Sequence, residues 1–147
     1  ALARDDEMRA RIARHRSDRA ERVPAMITVE EPFALAQAIR THATPRTLVL
    51  VDCLTLWLAN LLMPVDGAVD DSTAAEQATK ALVQEIGAAS GPLILVSNEI
   101  GLGVIPLGRE VRAFVDALGR LNQEVAAACD RVTLMAAGLP LTLKEPA

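Results

Sequence analysis

The chain of 147 residues is long enough for one domain with a single closed hydrophobic core, and 51% hydrophobic against 23% charged residues excludes a disordered chain. Aromatics are only 2%, which leaves the core to aliphatic side chains, and the net charge of −4 argues against a nucleic-acid binder, whose phosphate contacts need a basic surface. No apolar run reaches membrane-spanning length without a charge or turn signal, and nothing reads as a signal peptide. The expectation is a cytoplasmic protein with no membrane and no nucleic-acid partner.

Taken in chain order, Asp5 and Asp6 can cap a first helix running through about residue 20, with its acids where the helix dipole favours them. Met8, Ile12 and His15 then share one face. Met26 to Glu30 alternates and reads as a short strand or extended segment. Residues 32–42 read as a helix opened by Pro32, with His42 as a cation at its C-terminal end. Thr47 to Asp52 is a β-branched apolar run ending in an acid, the pattern of a buried parallel strand. Leu54 to Leu62 is a short apolar helix, followed by a polar loop over Met63 to Asp71.

Ser72 is placed to cap a long helix with Ala75, Ala78, Leu82 and Ile86 on one face, stopped by Gly91-Pro92. Leu93 to Ser97 reads as another buried strand, leading through NEIGLGVIP into a helix at about 108–129. Arg131 to Ala136 and Leu139 to Leu143 are final strands around a Gly138-Pro140 turn. Cys53 and Cys129 adjoin apolar runs and read as reduced, buried thiols. Strands alternate with helices, so the expected fold is a single α/β domain over residues 1–147, with a mostly parallel sheet flanked by helices. Ligands of such sheets bind beyond the carboxyl ends of the strands, which directs attention to Asp52 and the loop after Ser97.

Four constellations carry candidate chemistry. Seven of the 13 arginines fall in the first 22 residues, against five acids there. Among them Arg11, His15 and Arg19 are spaced by four along one helical stripe, flanked by Arg14, Arg16 and Arg22. A neutral imidazole can attack phosphorus while arginines hold the phosphate oxygens. Spacing alone favours a plainer reading, a solvated basic face with an ordinary surface histidine. The second is LVLVD at 48–52: an acid at a strand end can orient Mg2+ against nucleotide phosphates, although many such acids serve only the turn. The GxxxxGK[ST] loop expected with it does not occur between Ala1 and Ala147, and neither Lys80 nor Lys144 follows a glycine-rich loop.

The third is the loop with Asn98, Glu99, Gly101 and Gly103, where two glycines suggest close backbone approach. It is a candidate substrate or site loop, or a plain connection. The fourth is the helix with Arg112, Asp116, Gly119, Arg120, Asn122 and Gln123. Arg112 and Asp116 make an i, i+4 pair of the surface kind, and Gly119 inside a helix implies close packing by a neighbour.

Together, DDEMRARIARHRSDR at 5–19, LVLVDCLTLWLANLL at 48–62 and the long segment from Leu95 to Lys144 resemble the bifunctional adenosylcobinamide kinase / adenosylcobinamide-phosphate guanylyltransferase family. The match runs in order from the first helix to the C-terminus, and the third segment is highly specific. The resemblance implies a P-loop NTPase-like fold whose N-terminal strand, GxxxSGKS loop, helix and second strand are absent from these residues, and a homotrimer. It implies phosphorylation of adenosylcobinamide by ATP or GTP with Mg2+, then GMP transfer from GTP to adenosylcobinamide phosphate through a histidine–GMP intermediate. His15 matches the histidine of the family's RI-x-x-H-R pattern. Arg16, Ser17, Asp18 and Arg19 match a nucleotide-contacting stretch, Glu30 matches a further nucleotide contact, and Asp52 matches an acidic strand end that is Glu in some members. The chain departs from the pattern at Met26, where the family usually has Trp, and in a few extra residues after Arg19. Two rivals remain: a non-catalytic remnant or scaffold subunit lacking the NTPase loop, and another P-loop metabolite kinase. The 147 residues alone are expected to be inactive.

Overall fold

The computed structural model describes residues 6–63, 72–104 and 106–146, with the side chains of Met8 and Ser72 outside the description. Two strands form its parallel sheet: β1 (Val49–Asp52) and β2 (Leu93–Val96), in register from Val49↔Leu93 to Asp52↔Val96. Helices α2 (Leu35–His42), α3 (Leu54–Leu62), α4 (Ser72–Ala88) and α5 (Arg109–Ala128) pack around one side of it, while α1 (Asp6–Arg22) lies largely exposed. The core is assembled from Ile39 of α2, Val51 of β1, Leu54, Trp57 and Leu58 of α3, and Leu82 of α4. Phe114, Leu118, Leu121 and Val125 of α5 complete it. Those last four recur at helical spacing, so a single stripe of α5 reaches the core.

The α/β expectation holds, with a correction in the sheet. The final strands, β3 (Val132–Ala136) and β4 (Leu139–Lys144), form a separate antiparallel hairpin and do not extend β1–β2. Its two-residue turn has positive φ at both Ala137 (51°) and Gly138 (76°), which matches the twist of a tight hairpin. Nor are the parallel strands buried on both faces. Val51 is buried, but Leu50, Ile94 and Val96 alternate onto an exposed face.

Several boundaries also shift. Helix α2 starts at Leu35 and not at Pro32, because the Glu31 carboxylate accepts the Phe33 and Ala34 N–H groups at 2.9 and 2.8 Å and makes a turn there. Those bonds hold the Glu31 carboxyl below its usual range. Trp57 Nε1 donates to the Phe33 carbonyl at 2.9 Å and Asn60 Nδ2 to that of Pro32 at 3.3 Å, which ties this turn to α3. Residues 26–30 pair with no strand. Apart from Met63, the loop expected over 63–71 lies outside the described residues, as does the side chain of the Ser72 cap. A β-carbon on Gly119 would meet nothing within 4 Å, so the expected close neighbour is not found among the described residues.

Candidate functional site

Helix α1 is largely exposed, and among the described residues two ion pairs join it to the rest. Arg16 pairs with Glu30, and Arg19 Nη1 approaches Asp52 Oδ2 at 3.8 Å. The two arginines are three residues apart and so face the same way. His15, exposed, precedes Arg16 and lies four residues before Arg19. Arg16 and Arg19 therefore bring the α1 helix, which also carries His15, to Glu30 and Asp52, which are far apart in sequence. Ser17 and Asp18 are exposed on α1, and no ion pair brings them to this cluster.

The Arg19 side chain is only 32% exposed, and its Nε is buried with no hydrogen-bond partner among the described residues. At 3.8 Å its pairing with Asp52 is loose. The guanidinium keeps donor capacity that an anion can use.

Asp52 ends β1 beside Val96, so the segment Ser97–Glu99 leaves β2 at the same edge of the sheet. Two helices, α3 and α5, fix that segment. Thr55 Oγ1 of α3 accepts both the Asn98 N–H and Nδ2, each at 3.0 Å. Ser97 Oγ donates to Asn122 Oδ1 of α5 at 2.6 Å. Asn122 Nδ2 donates in turn to the Asn98 carbonyl at 3.1 Å and to Glu99 Oε1 at 2.9 Å. Composition and spacing gave Thr55 no role and left Asn122 within a list of helix residues. The available signal was polar side chains on otherwise core-facing stretches of α3 and α5.

Beyond Glu99 a 3-10 turn (Ile100–Leu102) and the start of α5 enclose a shallow open cleft of about 270 Å³. Gly101, Gly103, Val104, Arg112 and Asp116 are among its lining residues. Among the described residues nothing lies where a Gly101 side chain would be, so they make no close backbone approach there. Among the described residues a Gly103 side chain would meet only the Ile100 carbonyl oxygen, at 3.2 Å. Arg112 does not pair with Asp116. Its guanidinium turns back to the carbonyls of Pro106 and Leu107, which precede the helix.

Among the described residues no group of three or more His, Cys, Asp or Glu side chains could hold a metal ion. A single carboxylate, Asp52, suits Mg2+ that arrives on nucleotide phosphates rather than a resident metal. Also among the described residues, no helix is long and apolar enough to cross a membrane.

A small parallel strand pair packed with helices, with a basic helix approaching the carboxyl end of β1, defines an α/β protein whose arrangement suits phosphate-bearing ligands. Residues 1–143 match the family described as cobinamide kinase / cobinamide phosphate guanyltransferase, CobU, and the chain belongs to that family. It is similar to the bifunctional adenosylcobalamin biosynthesis protein CobP of Pseudomonas aeruginosa, 48% identical over 147 residues that cover 99% of this chain and 80% of the relative. The bifunctional adenosylcobalamin biosynthesis proteins CobU of Escherichia coli and Salmonella typhimurium are 38% and 36% identical. Each of those alignments covers 95% of this chain and 80% of the relative.

Proposed function

We propose that the chain takes part in the two reactions for which its family is named. A nucleoside triphosphate, ATP or GTP, phosphorylates the aminopropanol hydroxyl of adenosylcobinamide, and GMP then passes from GTP to the adenosylcobinamide phosphate. The observation that supports this reading is the approach of Arg19 to Asp52 at 3.8 Å, which brings the helix bearing His15 near the carboxyl end of β1.

In the transfer reaction an imidazole nitrogen of His15 attacks the α-phosphorus of GTP. A nitrogen–phosphorus bond forms as the bond to pyrophosphate breaks. A phosphate oxygen of adenosylcobinamide phosphate then attacks the same phosphorus and frees the imidazole. Arg16 and Arg19 hold phosphate oxygens, and Ser17, Asp18 and Glu30 contact the nucleotide. Asp52 is the residue that would hold Mg2+ carried on the phosphates, and the ion would supply neutralisation of developing charge there. The loop with Asn98, Glu99, Gly101 and Gly103 meets the substrate. The same reading includes one domain of P-loop NTPase type, completed by a strand, a GxxxSGKS loop, a helix and a second strand ahead of residue 1. It also includes a homotrimer working in the cytoplasm.

The test is covalent labelling. Full-length protein incubated with GTP labelled in the α-phosphate, in the presence of Mg2+, should carry an acid-labile, base-stable adduct, as a phosphoramidate does. His15→Ala should abolish the label without lowering the melting temperature, since the side chain is exposed. Labelling of His15→Ala as strong as that of the parent overturns the assignment.

A further inference from the structure

The polar group at the carboxyl end of β1 and β2 does more than tie loops together. Thr55 fastens the start of α3 to the segment leaving β2, just past the Asp52↔Val96 pair, so Asp52 and Glu99 both lie at the carboxyl end of the strand pair. Asn122 is half-buried in α5 beside the buried Leu121, although asparagine is a poor residue inside a helix. All three of its hydrogen bonds go to residues 97–99. Two of them suffice to bind α5 to the end of β2. The third fixes the carboxylate of an exposed residue, which gains no burial in return and loses rotamer freedom.

The two carboxylates at this edge differ in what faces them. Asp52 is opposite the Arg19 guanidinium, a setting for phosphate and its cation. Glu99 is opposite a neutral amide. Among the described residues it has no ion-pair partner, and its Oε2 accepts no hydrogen bond.

We propose that Glu99 accepts the proton of the substrate hydroxyl in the kinase reaction, with Asn122 as its positioning residue; the inference rests on the kinase reading above. As the hydroxyl oxygen bonds to the γ-phosphorus, the bond from that phosphorus to the bridging β-phosphate oxygen breaks and the nucleoside diphosphate leaves. The hydroxyl proton passes to Glu99 Oε2 and from there to solvent, which the exposed carboxylate meets directly.

The test follows conversion of adenosylcobinamide to its phosphate by the full-length protein. Glu99→Gln keeps the size of the side chain and an acceptor for Asn122, and removes only the base. Its kcat should fall by about 10²–10⁴-fold with KM little changed. Asn122→Asp sets a second carboxylate beside Glu99, and like charge favours the protonated form. The acid limb of the kcat–pH profile, where the base becomes protonated, should move to higher pH. A purely structural Asn122 would alter stability and leave that limb in place. Parent-like turnover by Glu99→Gln, or an unmoved limb in folded Asn122→Asp protein, overturns the proposal. If Asn122→Asp does not fold, the Glu99→Gln kcat decides alone. A parent protein that phosphorylates no adenosylcobinamide overturns the kinase reading itself, and this inference with it.

Discussion

At Gly91 a side chain has nowhere to go. A β-carbon there would lie 1.9 Å from the Thr44 carbonyl oxygen and 2.6 Å from its carbonyl carbon. The surroundings cannot yield cheaply, because Ser90 Oγ donates to the Ala43 carbonyl and the Val49 N–H to that of Pro92, both at 3.1 Å. Moving Thr44 away would pull the start of β1 from the start of β2. Gly91→Ala should therefore lower stability by at least about 1–3 kcal/mol, read as a fall in denaturant midpoint. Gly119→Ala is the contrasting case, with open space and helical backbone, and should gain up to roughly 1 kcal/mol. Equal midpoints for the two variants would show that contact with the Thr44 backbone is not what limits Gly91. The same locality explains which site residues were legible in the sequence. The stripe of Arg11, His15 and Arg19 is a property of one helix and can be read from spacing. That Arg16 meets Glu30, Arg19 meets Asp52, and Asn122 meets Glu99 is tertiary, and no periodicity encodes it.

At the scale of elements, α5 ends on a residue from the far side of the hairpin. Lys144 Nζ donates to the carbonyls of Ala126, Ala127 and Cys129 at 3.1, 2.9 and 2.6 Å, which places a cation on the negative end of the helix dipole. This joins β4 to α5, and it accompanies a Cys129 thiol that burial pushes up, so alkylation there should be slow at neutral pH. Lys144→Met keeps the aliphatic stem and removes charge and donors. It should cost about 1–2 kcal/mol, with Lys144→Arg intermediate, in urea unfolding. An unchanged midpoint would mean that water serves those carbonyls equally well. Element types were largely legible, because α3 and α5 carry strong apolar patterns and fold over nearly the expected residues. The start of α2 was not, since the Glu31 side chain competes with the helix for the first N–H groups. Strand partners were also illegible. Apolar runs identify β1, β2 and β3 as strands, but whether β3 joins the parallel pair or turns back on β4 depends on sheet edges that the run does not describe.

Among the described residues the parallel pair has one face packed with helices and one left exposed. Leu50, Ile94 and Val96 are 45%, 48% and 41% exposed on the open face of the parallel pair, and Met135 and Leu141 of the hairpin are 61% and 55% exposed. Two parallel strands are fewer than a sheet of this kind usually has, and apolar surface of this extent favours association. Nucleotide binding by the 147-residue polypeptide alone must therefore be measured on material shown by sedimentation to be monodisperse. Under that condition GTP should bind weakly. In P-loop proteins the triphosphate is held by backbone N–H groups of a glycine-rich loop and by its lysine. Between Ala1 and Ala147 there is no such loop, and of the only two lysines Lys144 is already engaged at the end of α5. What remains is the α1 arginines, of which Arg16 and Arg19 already face Glu30 and Asp52. Exposed ion pairs contribute about 0–1 kcal/mol each. Arg9 also pairs with Asp6, and the other three, Arg11, Arg14 and Arg22, at the upper limit reach only ~3 kcal/mol, short of the ~4 kcal/mol of a millimolar Kd. Titration calorimetry should accordingly find no Mg2+-dependent GTP site tighter than about 1 mM in these residues. A micromolar site would require at least ~4 kcal/mol more than the arginines can supply. It would show that the α1 cluster is itself a preorganised triphosphate site.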